Sequence, residues 1–203
     1  MNNTTTPRPI SGQANRFFTS EFFQQCSAHL APGGVFAFRI RSSENFWTPQ
    51  LTHQMVSIYR ALKTAFPSIL VLPGATNVVV AARDPLVQDP AILARRFEER
   101  GLKTRIVSVP YIRYLFLNDR FTQIETTLAT GTAPANTDIR PVCYRYAIII
   151  WLSKFFPRLA TLDAAELFPR GATAVLSWCL VALGATTLLV LARRNVRLRS
   201  VTL

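Results

Sequence analysis

Hydrophobic and polar positions alternate along this chain in two rhythms. Phe22, Cys26 and Leu30 recur every four residues, the spacing of one helical face, and Thr19 before them can cap the helix with Glu21 in its first turn. LAPGG ends that helix, and Val35–Ile40 (VFAFRI) reads as a buried strand. Thr48-Pro49 opens a second helix with the stripe Leu51, Met55, Ile58 and Leu62, stopped by Pro67. SILVL and NVVVAA follow as two short β-rich runs around PGAT, the pattern of an antiparallel pair closed by a glycine-containing loop. Asp89-Pro90 starts a third helix with Ile92, Leu93 and Phe97 on one side, ended by Gly101. KTRIVSV predicts one more strand. Asn118 is placed to cap a helix carrying Phe121, Ile124 and Leu128, and TGTAPANTDIRP reads as a loop wrapping the domain. The order of elements is that of a mixed α/β domain.

Two apolar stretches depart from this amphipathic pattern. Ala172–Ala192 has no charged residue, no proline and one glycine. As a helix it would reach ~31 Å, enough to cross a hydrocarbon core of about 30 Å. Trp178, Gly184 and the arginines that follow, Arg193, Arg194, Arg197 and Arg199, are assigned to this membrane anchor. Ser177, Gly184 and Ala185 fall near one face of the span and would let a second helix approach closely. The other stretch, Cys143–Phe156, has too short an uncharged run to span. It reads either as a final core helix or as a helix at the membrane surface, with Tyr146 and Trp151 near headgroups and Lys154 extending to water.

These patterns divide the 203 residues into a polar segment at 1–18, an α/β domain at 19–157, a linker at 158–171, the span at 172–192 and a basic tail at 193–203. The net charge of +12 is spread along the chain and mixed with acids, with a dense cluster only in the tail. Lipid headgroups and acidic protein surfaces suit it better than nucleic acid, for which no recognition motif is present. Cys26, Cys143 and Cys179 show no metal-ligand spacing, and His29 and His53 have no neighbouring cysteine or carboxylate pattern, so no metal and no cofactor is expected. Ser11-Gly12-Gln13 lacks the preceding strand of a nucleophile elbow. Asp138 and Arg140 are expected to form a structural pair, and Arg95, Arg96, Glu98 and Glu99 a solvated helix face. No residue earns a catalytic assignment.

Topology cues conflict. The arginine tail favours a cytoplasmic C-terminus, whereas the polar start, MNNTTTPRPISGQ, has no apolar core to act as an export signal. The second cue is given the greater weight: a single-pass protein of the bacterial inner membrane with its domain in the cytoplasm.

Four segments, NRFFTSEFFQQCSAHLAPGGVFAFRI, SENFWTPQL, AFPSILVLPGATNVVVAARDPL and NTDIRPVCYRY, together resemble the C-terminal half of spermidine synthase-like proteins (polyamine aminopropyltransferases), in particular their membrane-fused bacterial branch. The resemblance covers roughly residues 7 to 157. It implies a partial Rossmann-like, class I methyltransferase-type sheet: a fifth strand at Val35–Ile40, and an antiparallel sixth and seventh between Ile69 and Ala82. The first four strands would precede Pro7, and with them the glycine-rich loop and acidic residue that hold the nucleotide cofactor in that superfamily. Relatives also carry a D-x-x-D-P segment before the helix that here begins near Thr19. Thr5 stands where its first Asp would be, and Arg8-Pro9 where the second Asp and Pro would be. Neither threonine nor arginine can accept the proton of an attacking amine, and arginine repels a cationic polyamine.

The resulting expectation is a non-catalytic, membrane-anchored accessory or scaffold subunit of a larger membrane complex, photosynthetic or respiratory, whose partners are the lipid bilayer and other membrane subunits. The alternatives are half of a split aminopropyltransferase, completed by another polypeptide, and a gene fragment with no independent role.

Overall fold

A computed structural model describes residues 12–43, 46–160 and 183. Met1–Thr161 form one compact unit and Leu162–Leu203 a second, in which the described residue is Leu183. Among the described residues no helix is long and apolar enough to cross a membrane. The candidate span and its tail, with Trp178, Gly184, Ser177, Ala185, Arg193, Arg194, Arg197 and Arg199, lie outside the described residues, Leu183 apart.

The domain begins with a short helical turn, α1 (Gly12–Asn15), and a 3-10 turn over Arg16–Phe18. Helix α2 (Ser20–His29) follows, capped as its sequence predicts by the Thr19 hydroxyl accepting from the Phe22 N–H. Strand β1 (Val35–Arg41) leads to α3 (Pro49–Lys63), where Thr48 caps in the same way, then to β2 (Ser68–Leu72) and β3 (Thr76–Ala82). Helices α4 (Pro90–Glu99), α5 (Val109–Leu117), α6 (Asp119–Thr130) and α7 (Val142–Leu152) complete it. Gly101 has φ +56°, a left-handed conformation that a side chain disfavours, and it ends α4 where the sequence places the stop.

The sheet order is β1-β3-β2, with β3 antiparallel to both neighbours. β1 and β2 therefore run in the same direction, joined through α3, and β3 returns between them. This agrees with the hairpin read from the sequence and with a small piece of a mixed α/β sheet.

Register sorts the side chains onto two faces. Phe36, Phe38 and Ile40 of β1 share a face with Val79 and Ala81 of β3 and Ile69 and Val71 of β2. All of these join the main hydrophobic core with Phe18, Phe23, Met55, Val56, Ile58, Leu62 and Phe66. Phe23 lies 6.0 Å from Phe36 and 5.9 Å from Phe38 between ring centroids, and Phe36 stacks on Phe66 at 5.8 Å. Each such pair adds about 0.5–1.5 kcal/mol beyond burial. The opposite face of β1, formed by Val35, Ala37, Arg39 and Arg41, is exposed.

Two expectations need correction. KTRIVSV is not a strand: Ile106 is 68% exposed, and Ser108 instead caps α5 by accepting from the Tyr111 N–H, with Pro110 in the first turn. With no neighbouring strand to supply a ladder, β-prone residues alone did not make one. The 131–141 loop, expected to wrap the domain, also enters it. Asn136 is fully buried, with its Nδ2 donating to Asn15 Oδ1 (3.2 Å) and Phe18 O (2.9 Å), and its Oδ1 accepting from the Cys143 N–H (3.1 Å). Its backbone N–H donates to Ser57 O and its carbonyl accepts from the Ser20 N–H. One residue thereby ties together the start of α2, the middle of α3 and the first turn of α7.

Asn136→Ala leaves the Cys143 N–H and the Phe18 carbonyl without their partner in a buried place. It is expected to lower unfolding stability by about 2–4 kcal/mol in chemical denaturation. At Gly131 an added Cβ would overlap the Val56 side chain. Gly131→Ala should therefore destabilise by about 1–3 kcal/mol, and Val56→Ala in the same chain should recover the part due to the Val56 side chain but not the part due to the Thr127 carbonyl, 2.9 Å from the added Cβ.

Candidate functional site

β1 and β2 end at Arg41 and Leu72 on the same side of the sheet, the end at which open α/β sheets hold ligands. The loop after β1 brings Trp47 back into the core, 7% exposed, with its indole N–H donating to Ser42 Oγ at 2.8 Å. The Arg120 guanidinium sits over the Trp47 ring at 5.3 Å and donates to Gln123 Oε1 and the Ser43 carbonyl. Burial lowers the pKa of this guanidinium. Arg120 Nε has no partner and neither does Asn77 Nδ2, which is fully buried opposite Ile40 while its Oδ1 accepts from the Gly74 N–H. The two unpartnered groups at this end, Arg120 Nε and Asn77 Nδ2, are donors.

Acids lie elsewhere. Asp119 lines an open groove of about 390 Å³ along the outer face of α6, with Thr122, Gln123, Thr126, Thr127 and Thr130. Glu21 accepts from the Asp138 N–H at 3.0 Å, an anchoring role at the end of the 131–141 loop. Asp138 and Arg140 do not form the expected pair: Arg140 is held through its backbone, its N–H donating to Thr137 Oγ1. Arg95 and Glu99 form an exposed ion pair at 3.6 Å, in keeping with a solvated helix face. Among the described residues no three His, Cys, Asp or Glu side chains come together in a metal-binding group.

Cys143 is buried, its Sγ 3.7 Å from the Gln54 carbonyl while Gln54 Nε2 donates back to the Cys143 carbonyl. Burial pushes this thiol far above the ordinary value and raises Cys26 as well. Neither is poised as a nucleophile. Cys179 lies outside the described residues.

The helix at Val142–Leu152 resolves the question left by its sequence. Its first two turns are core, with Cys143, Tyr146, Ala147 and Ile149 buried, while Trp151, Phe155 and Phe156 beyond are 53%, 63% and 61% exposed. Trp151 and Phe155 pack ring to ring at 5.1 Å. Together they form an exposed apolar patch at the end of a core helix.

The sheet edges differ. Beyond β2, α6 packs Phe121 and Leu128 near Ile69, Leu70 and Val71. Among the described residues, β1 pairs only with β3. No sequence signal marked this edge apart from the resemblance, which implied a neighbouring strand ahead of Val35.

No family model matches the chain. Over 87 residues it is 36% identical to a polyamine aminopropyltransferase of Synechococcus sp. (strain JA-2-3B'a(2-13)), covering 39% of this chain and 27% of that protein. The matched part is thus about a quarter of the length of this curated relative. The chain is distantly related to the polyamine aminopropyltransferases, over part of its length.

The Cys143 thiol gives a pH signature. Folded Cys143 keeps its proton where an unfolded thiol loses it, so its contribution to stability is complete below the unfolded value of 9.0 and declines as pH rises past it. Between about pH 8 and about pH 10, denaturant titrations should show the wild type losing about 1 kcal/mol more than Cys143→Ala.

Proposed function

We propose that this chain is a non-catalytic, membrane-anchored accessory or scaffold subunit of a larger membrane complex, photosynthetic or respiratory, derived from a spermidine synthase-like domain. The observation that carries this reading is the contrast between a well-packed core and the strand ends. The aromatic cluster and the Asn136 network make a specific fold, yet the carboxyl ends of β1 and β2 gather Trp47, Asn77 and Arg120 and no described carboxylate that could hold a polyamine. The apolar stretch at 172–192 supplies the anchor, with Trp178 and the four tail arginines at its boundary. Trp151, Phe155 and Phe156 supply a second apolar contact with the bilayer or a neighbouring subunit. Lipid and membrane proteins are the partners of this reading, with no nucleic acid, metal or cofactor, and the domain lies on the cytoplasmic side of a bacterial inner membrane.

The relation to polyamine aminopropyltransferases favours one other reading, in which the chain is the C-terminal half of a split enzyme whose cofactor-binding half is another polypeptide. The two readings separate on extraction of native membranes with mild detergent. A scaffold travels at fixed stoichiometry in a large assembly that weakens when the chain is deleted. Recovery of the chain alone, or with one small partner that confers aminopropyl transfer, rejects the scaffold. Deletion of residues 172–203 should release the domain from the membrane, read by fractionation.

A further inference from the structure

The end of α7 gathers three exposed aromatic rings within six residues, Trp151, Phe155 and Phe156, with the exposed Ile148 one turn before Trp151. The chain closes on itself there. The Ser153 N–H donates to the Ile149 carbonyl, the Lys154 N–H to the Trp151 carbonyl, and the Phe155 and Phe156 N–H groups both to the Leu152 carbonyl. The Ser153 hydroxyl donates to the Ile150 carbonyl at 2.8 Å. The donors of this turn are therefore met from within it, so the rings can leave water without taking unpaired N–H groups with them.

Charge accompanies the rings. Lys154 and Arg158 are exposed in the same stretch. From Ile139 to Leu162 the chain carries Arg140, Arg145, Lys154 and Arg158 and no acid at all. A layer of anionic headgroups over hydrocarbon matches both properties at once: rings settle at the boundary, and long cationic side chains extend to the phosphates. Chain length points to the same occupant. Eleven residues, 161–171, separate Ala160 from the uncharged run at 172–192, and fully extended they reach only ~40 Å. A bilayer that holds that run is within reach of the patch.

Resting on the reading of the chain as membrane-anchored, we propose that the end of α7 is itself a lipid-binding site. Trp151, Phe155 and Phe156 enter the boundary between headgroups and acyl chains, and Lys154 and Arg158 bind the phosphates of anionic lipids. The membrane then holds the domain at a second point, through the domain's own fold.

A photoreactive ring reports what it touches. Phe155 and, separately, Phe156 are replaced by p-benzoylphenylalanine in the full-length chain, which is irradiated in native membranes and mapped by mass spectrometry. Leu117, 72% exposed on α5, is replaced in the same way as a control. The expected result is a phospholipid adduct at 155 and 156 and none at 117. Cross-links from 155 and 156 to a polypeptide, or no more lipid adduct there than at 117, overturn the proposal while a chain that still sediments with the membranes keeps the anchored reading in place. Recovery of the chain in the soluble fraction overturns the anchored reading, and the proposal with it. Headgroup charge is tested in reconstituted vesicles of phosphatidylcholine with and without phosphatidylglycerol. Lys154→Gln/Arg158→Gln should lower the adduct yield at 155 ~5-fold in the anionic vesicles and leave it unaltered in the neutral ones. An unaltered yield in the anionic vesicles overturns the assignment of Lys154 and Arg158 to lipid phosphates.

Discussion

The fold depends on one buried amide. Asn136 reaches from an irregular loop into the core and serves α1, α2, α3 and α7 through its side chain and its backbone. A buried asparagine is costly unless its donors and acceptors are met, and here both ends of the amide are engaged. The consequence is specificity. The 131–141 segment has no regular structure, yet it fixes the first turn of α7 against α3, where Gln54 and Cys143 exchange contacts. Once α7 is placed, the exposed aromatics at and beyond its end, Trp151, Phe155 and Phe156, are placed too, so a packing constraint in the core sets the position of an apolar surface.

A second constraint shapes what the domain can do. An α/β sheet commonly has helices on both faces and needs some treatment of its edges. Here the inner face is filled by the phenylalanine cluster and α6 packs at the β2 side; on the other face Leu70 and Ala82 are buried, while Val35, Ala37, Arg39 and Arg41 of β1 are exposed. Among the described residues, the strand ends carry Trp47, Asn77 and Arg120.

Much of this was legible in the sequence because local rules and tertiary packing agree there. Thr19, Thr48, Asp89 and Asn118 each cap the helix their spacing predicts, and the stripe Met55, Ile58 and Leu62 is buried as written. The hairpin around PGAT formed because its two runs lie close enough to pair. Legibility failed where a long-range partner decided the outcome. Ile106 and Val107 found no ladder, and Ser108 and Pro110 diverted the next residues into a helix that no apolar stripe had announced. Asn136, in a run of small and polar residues, gave no sign that it would be the centre of a network, since its partners lie up to 121 positions away. At the strand ends, the proximity of Arg120 to Trp47 was likewise invisible, because 73 positions separate them in the chain. The expected membrane span, read from the length of an uncharged run, lies outside the described residues, Leu183 apart.

The account turns on whether the Asn136 network sets the packing of the domain. Amide hydrogen exchange on the wild type and on Asn136→Ala measures this directly. The account predicts that in the variant the Ser20 and Cys143 amides and the first turn of α7 exchange faster, while the β3 amides paired with both neighbouring strands keep their protection. Unchanged protection across α7 in the variant would contradict it.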